Sequence, residues 1–380
     1  MFKIIVAGDF APRNRIETLI QKSDYGCLSE AKTIIQSVDY AIVNFESPVV
    51  EPNVEPLPKT GPNLRCSEKA LECVAQAGFN CVTLANNHFR DYGQAGVEST
   101  INACCKYQID FVGGGKNYVD AKKTLFKTFG DKELAIINVC ENEWSIASDN
   151  YGGSNPLDIV SVCRSLHEAK QKSDYVLLII HGGTEHYNLP TPRMKETYRF
   201  FIDNGADVIV NHHQHCYSGY ELYHDKLIFY GIGNFCFDNN VVKKNELWER
   251  GYLVELCFSE KIDYHLYPYI QCDESNPAIQ MIKETAEFEK TMERLNSIIA
   301  DDTQLQYRFN QMAAKGVMIA KKLLIPYSSS FAQKIQSKGL LPSFVSESRL
   351  NKLLAYIQCE SHRDILLYGL KHMNKPSNNR

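Results

Sequence analysis

The run Tyr175-Val176-Leu177-Leu178-Ile179-Ile180-His181-Gly182-Gly183-Thr184-Glu185-His186 decides how this chain is read. Five consecutive aliphatic residues rich in β-branched types form a buried strand of the kind found inside an α/β sheet. The strand ends in an imidazole, and two glycines then let the backbone come close to a ligand. The layout recurs twice: residues 80–84 lead into Ala85-Asn86-Asn87-His88, and residues 207–210 into Asn211-His212-His213-Gln214-His215. Six of the eleven histidines fall in these three loops, so the strand ends would gather imidazoles and amides at one sheet edge. That is the arrangement of a metal centre.

Outward from these runs, strand-like stretches at 4–7, 40–45, 81–84, 109–112, 175–180 and 208–210 alternate with helical patterns at 31–38, 68–77, 94–107, 157–171 and 192–204. Such alternation predicts βαβ units and an α/β core. Short polar turns at Gly130-Asp131 and His224-Asp225 join β-rich runs into antiparallel hairpins, as do the runs at 251–258 and 262–269. The sheet is therefore mixed, or two sheets pack together. From 278 onward the spacing predicts amphipathic helices at 278–299 and 304–324, then short helices at 353–356 and 364–370. The expected division is a domain at 1–272 and a helical appendage at 273–380, with the tail after Met373 disordered.

Composition narrows the function. The net charge of −4 offers no basic patch for nucleic acid or an anionic membrane, and no stretch reaches the ~18 apolar residues of a membrane span. The thirteen cysteines are odd in number, Cys104 and Cys105 are adjacent, and no C-x-x-C pair occurs. They read as reduced thiols packed as small hydrophobes, which predicts a cytoplasmic location.

Candidate chemistry sits at the strand ends. Asp9 closes the first strand, and period-2 alternation turns Asn44 and Glu46 to one side at the end of the second. In the next loop, Asn87 offers an amide oxygen and His88 an imidazole for proton transfer, with Asp91 placed to orient the His88 ring. His181, Glu185, His212, His213 and His215 complete the set. Carboxylate, amide and imidazole without thiolate suit a hydrolytic centre that activates water rather than a structural zinc. Lys59 and Arg65 flank Gly61-Pro62-Asn63-Leu64, where they could hold an anionic phosphate or carboxylate.

Gly8-Asp9, Asn44-Phe45-Glu46, Ala85-Asn86-Asn87-His88, His181 with Glu185, the run from Gly205 to His215, and the run from Leu227 through Gly233-Asn234-Phe235-Cys236-Phe237-Asp238 occur in this order. Over about residues 1–270 the chain closely resembles the CapA, or poly-γ-glutamate capsule biosynthesis, family, a branch of the calcineurin-like metallophosphoesterase superfamily. The resemblance implies a four-layer αββα sandwich carrying a C-terminal helical extension. It implies one or two divalent transition-metal ions (Mn, Zn or Fe), with Asp9, Glu46, Asn87, His181, His213 and His215 as ligands and His88 assisting the leaving group. Asn44, Lys59, Arg65, Glu185, His212 and Asn234 are further candidates for metal or substrate contact.

Three positions depart from the superfamily pattern. Phe10-Ala11 follow Asp9 where Asp-x-His is usual, Glu46 replaces a bridging Asp, and His212 replaces a Gly. Either Glu185 or His212 completes the first site, or a single ion binds. The expected activity is a metal-dependent hydrolase or transferase acting on a phosphorylated or amide-linked precursor of a bacterial capsule or surface polymer, with a metal-bound hydroxide as nucleophile. The alternatives are a non-catalytic assembly factor, docking capsule-synthesis proteins through the helical tail, and a general phosphodiesterase.

Overall fold

In the computed structural model, which describes residues 1–59, 61–238, 246–314, 329–340, 346–358 and 370, the apolar runs become strands of two large sheets. In chain order the strands are β1 (Phe2–Ala11), β2 (Tyr40–Phe45), β3 (Cys81–Thr83), β4 (Asp110–Val112), β5 (Gly114–Gly115), β6 (Leu125–Phe129), β7 (Lys132–Cys140) and β8 (Gly153–Ser154). They continue with β9 (Tyr175–His181), β10 (Val208–His212), β11 (Tyr220–Tyr223), β12 (Lys226–Phe229), β13 (Asn234–Phe237), β14 (Arg250–Phe258), β15 (Asp263–Gln271) and β16 (Ile279–Met281). The first sheet runs β16-β15-β14-β1-β2-β3-β4 with β13 beside the end of β1; the second runs β11-β12-β10-β9-β7-β6. Strands β1 to β4 are mutually parallel, as are β7, β9, β10 and β12, so their carboxyl ends collect at one edge of each sheet.

Alternation along β1 builds the layers. Ile4 and Val6 enter a core shared with Ile136 of β7, Leu178 of β9 and Ile209 of β10, while Ile5 and Ala7 face Ile16, Ile20, Leu71 and Val74 from the helices Asn14–Gln21 and Lys69–Ala77. Phe2 stacks between Phe129 of the second sheet, at 4.3 Å, and Phe258 of the first, at 4.8 Å. On the far side of the second sheet lie the helices Ile159–Lys170 and Pro192–Asp203, contributing Leu166 and Phe201. The expected helix–sheet–sheet–helix sandwich is what forms. Each large aliphatic side chain withdrawn from water here contributes about 1.5–3 kcal/mol.

The C-terminal expectations need correction. Residues 279–281 form β16 instead of a helical turn, because their backbone completes the open edge of β15, with Tyr269 opposite Met281. The helix starts at Ala286 and runs to Ala300; Phe288, Met292, Leu295, Ile298 and Ile299 are buried in the main core. The compact unit accordingly extends over Met1–Tyr307 rather than ending at 272, and Arg308–Arg380 forms a second unit. The next helix is Asp302–Ala313, and the helix expected at 353–356 is longer, Glu347–Gln358. The remainder of the 304–324 helix, nearly all of the 364–370 helix and the tail after 373 lie outside the described residues. No helix among the described residues is long and apolar enough to cross a membrane.

Candidate metal centre

The carboxyl ends of both sheets meet, and the predicted residues meet with them. Strand register sets Asp9 beside Asn44 and, on its other side, Asn234, while His212 pairs with His181 across β10 and β9. Gly8 is required for this: a Cβ there would stand 2.0 Å from the Gly233 carbonyl oxygen, so only glycine lets β13 approach. Beyond β10 the chain bends sharply, with His213 at φ 86° and His215 at φ 55°, in the left-handed region that costs a non-glycine residue about 1–2 kcal/mol. The His213 amide, donating to Asp9 Oδ2 at 3.3 Å, helps to hold that turn.

Asp9, Glu46 and His181 each place one ligand atom within 4.8 Å of the other two. His181 Nε2 lies 3.1 Å from Asn87 Oδ1 and 3.1 Å from His213 Nδ1. His215 bridges the carboxylates, with Nδ1 3.6 Å from Asp9 Oδ2 and Nε2 3.9 Å from Glu46 Oε1. Its Nδ1 also faces Asn234 Oδ1 at 2.9 Å. Asn44 donates to Asp9 Oδ1 at 2.7 Å, and its amide oxygen accepts from Thr83, so it braces the Asp9 carboxylate. Every one of these side chains is buried.

The electrostatics of this cluster fit a cation. Both Glu46 oxygens are buried without a hydrogen-bond partner, as are both ring nitrogens of His212. Burial, then the proximity of Asp9 and other carboxylates, drives the Glu46 carboxyl well above its usual range. Burial and the neighbouring His213 hold His181 well below an ordinary histidine, and His215 is pushed down to about 4, chiefly by burial. Neutral imidazoles beside unpaired carboxylate oxygens are lone pairs aimed at one small volume. An orphaned buried carboxylate is costly unless a charge compensates it, and a divalent ion is the compensation this donor set accepts.

Of the two candidates for completing the first site, His212 lies beside Asp9, with Nδ1 3.3 Å from Oδ1, whereas Glu185 is exposed at the rim of a cleft. That cleft, about 380 Å³, is lined by Asn87, His88 and His215 on the side of the cluster. His88 Nδ1 lies 2.6 Å from Asp91 Oδ2, and burial pulls its pKa below the ordinary value despite that partner. Lys59, which also lines the cleft, pairs with the other Asp91 oxygen. Arg65 is exposed, 5.6 Å over the Tyr92 ring, and does not line the cleft. Sequence reasoning missed Glu143, whose Oε1 lies 3.6 Å from His213 Nε2, and missed the cleft residues Arg13, Trp144 and Trp248. The signal for Glu143 was present: β7 also ends at this edge, with Cys140 paired to His181, and Glu141-Asn142-Glu143 follow directly.

The chain is 32% identical over 203 residues to the capsule biosynthesis protein CapA of Bacillus anthracis, covering 51% of this chain and 49% of that protein. It is 32% identical over 199 residues to the PGA biosynthesis protein CapA of Bacillus subtilis (strain 168), covering 51% and 52%. It thus spans about half the length of the curated relatives it matches. Among solved structures, a novel phosphatase from Mycoplasma pneumoniae aligns with TM-score 0.47 and 17% identity, covering 71% of this chain and 93% of that one. The family model described as bacterial capsule synthesis protein PGA_cap matches residues 3–239, a span holding every strand-end residue of the cluster, and the chain belongs to that family.

Proposed function

We propose that this protein is a metal-dependent hydrolase or transferase acting on an anionic, phosphorylated or amide-linked precursor in the synthesis of a bacterial capsule or surface polymer. The observation that carries the reading is Glu46: fully buried, both oxygens unpartnered, and grouped with Asp9 and His181 beneath an open cleft. Asp9, Glu46, Asn87, His181, His213 and His215, with His212 beside Asp9, would hold one or two ions of Mn, Zn or Fe. Such an ion supplies Lewis acidity that polarises a phosphoryl or carbonyl oxygen and activates water.

The protein's own groups do the rest. Asp91 holds His88 through Nδ1, which leaves Nε2 as the atom that hands a proton to a leaving group in the cleft. Lys59 fixes the far oxygen of Asp91, so the His88 ring has one orientation. Asn44 and Asn234 hold Asp9 and His215 in place by hydrogen bonding. Burial of the cluster keeps bulk water away from the reacting groups.

The test is elemental analysis of protein purified without a histidine tag, followed by assays with bis(p-nitrophenyl) phosphate and with oligo-γ-glutamate in the presence of Mn, Zn or Fe. The reading requires bound transition metal and an activity that Glu46→Gln abolishes. Protein that holds no such metal, and turns over neither substrate with any of the three, ends it.

A further inference from the structure

The cleft above the metal cluster carries cations of different standing. Lys59 has a side chain only 4% exposed and is neutralised by Asp91. Arg65 points elsewhere, over Tyr92. Arg13 is different: it follows Asp9 by four residues on the loop leaving β1, lines the cleft, is half-buried, and its side chain, unlike its carbonyl, makes no hydrogen bond or ion pair with any described residue. The Asp238 carboxylate acts on its charge, and Asp238 is gripped at both oxygens by Arg15, at 2.9 Å to Oδ1 and 3.0 Å to Oδ2. Arg15 thus occupies both oxygens of Asp238, and the Arg13 guanidinium, lining the cleft, keeps its charge and its planar fork of donors for another oxyanion. A guanidinium in that position is suited to a bidentate oxyanion.

We propose that Arg13 is the anion-recognition residue of this cleft, taking an oxyanion of the substrate beside the Asp9, Glu46 and His181 cluster. The assignment rests on reading the cleft as the substrate site of a metal-dependent enzyme. It also replaces Arg65, which the sequence singled out, with a residue it did not. The oxyanion is a phosphate or a carboxylate, and the probes below separate them.

The protein carries its own reporter. The chain has two tryptophans, and both line this cleft: Trp144, 53% exposed, and Trp248, buried against His215. Tryptophan emission of the full chain is titrated with inorganic phosphate and, separately, with L-glutamate, for wild type and for Arg13→Gln, Arg13→Lys and Arg65→Gln, with metal content measured on each sample. Saturable quenching is expected with at least one probe. Arg13→Gln should weaken it about tenfold or more, Arg13→Lys should weaken it less, and Arg65→Gln should match wild type. Phosphate alone quenching assigns a phosphoryl group, and glutamate alone assigns a carboxylate. No quenching of wild type by either probe overturns the assignment, as does equal affinity in wild type and Arg13→Gln, or an equal loss in Arg65→Gln. Metal content and turnover separate the two readings: Arg13-dependent quenching in protein that holds no metal and turns over neither substrate with added Mn, Zn or Fe leaves this assignment standing and removes the catalytic one. Bound metal with quenching indifferent to Arg13 does the reverse.

Discussion

Nδ1 of His212 lies 3.3 Å from Oδ1 of Asp9, on a strand of the other sheet. The residues that follow Asp9 along its own strand, Phe10 and Ala11, are fully buried in apolar packing and offer nothing to an ion. An imidazole reaches Asp9 from β10 instead. We expect His212→Gln to lower the metal retained after dialysis, read by elemental analysis, while Glu185→Gln leaves it at the wild-type level.

If Glu46 is a metal ligand, it ties stability to the ion. In metal-free protein burial and the nearby Asp9 disfavour the Glu46 carboxylate, so Glu46→Gln, which keeps the shape and removes the ionisable group, should have a urea midpoint at or above that of wild type. Added Mn or Zn should then stabilise wild type and leave Glu46→Gln nearly unmoved. Equal metal-induced shifts in the two proteins would show that Glu46 is not a ligand.

Asp91 serves three partners, the Lys59 ammonium, the His88 ring and the Leu64 amide, and its loss should cost more than loss of either side chain. Asp91→Asn leaves the buried Lys59 ammonium without its counter-charge and is expected to destabilise the protein by about 3–5 kcal/mol. His88→Gln removes a ring at the cleft edge and should cost about 1 kcal/mol. Urea denaturation of the two variants and of Lys59→Met, which should recover part of the Asp91→Asn loss when combined with it, checks this arrangement.

Gly8→Ala should be among the most damaging single methyl additions in the protein. The added carbon meets backbone, the Gly233 carbonyl at 2.0 Å, and backbone on a paired strand cannot rotate away as a side chain can. A loss of about 3 kcal/mol or more is expected, seen as reduced soluble yield and a lower urea midpoint.

Leu295→Ala tests where the core ends. Leu295 is 1% exposed against the main core, so about 2–5 kcal/mol should be lost. A separate appendage at this position would predict almost no change in the stability of the sandwich.

Acid stability should depend on Asp273. Burial alone would raise its carboxyl, but hydrogen bonds from Gln280, the Asn276 amide and Ser275 outweigh this and bring it down to about 2. A carboxyl whose folded pKa lies below its unfolded value stabilises the fold above the unfolded pKa, and that contribution fades as pH falls through about 4 toward 2. Asp273→Asn should therefore lower Tm relative to wild type at about pH 6, with the gap closing at about pH 2.5.

Much of the fold was legible along the chain. Ile4 to Ala7, Val176 to Ile180 and Val208 to Val210 are strands wherever they end up, because alternation and unbroken apolar runs act through neighbours a few residues apart. The helix Pro192–Asp203 announces itself by Thr191, whose side chain accepts from the Met194 amide, and by a proline in its first turn. The spacing of Ile279 and Ile282, by contrast, suits a helix, yet the unpaired edge of β15 drew residues 279–281 into the sheet. Local propensity differs by tenths of a kcal/mol per residue, less than the hydrogen bonds and burial that an open strand edge offers.

The sequence by itself determined the residue types of the site and their position at strand ends: Asp9, Glu46, Asn87, His88, His181, His213 and His215. Only the tertiary structure decided which of them touch. It set His212 rather than Glu185 beside Asp9, turned Arg65 away, brought in Arg13 and Glu143, and locked Lys59 to Asp91. The reason is range: residue pattern encodes the path of one strand, whereas the gap between loops some 30 to 200 residues apart is fixed by strand register and by how two sheets pack.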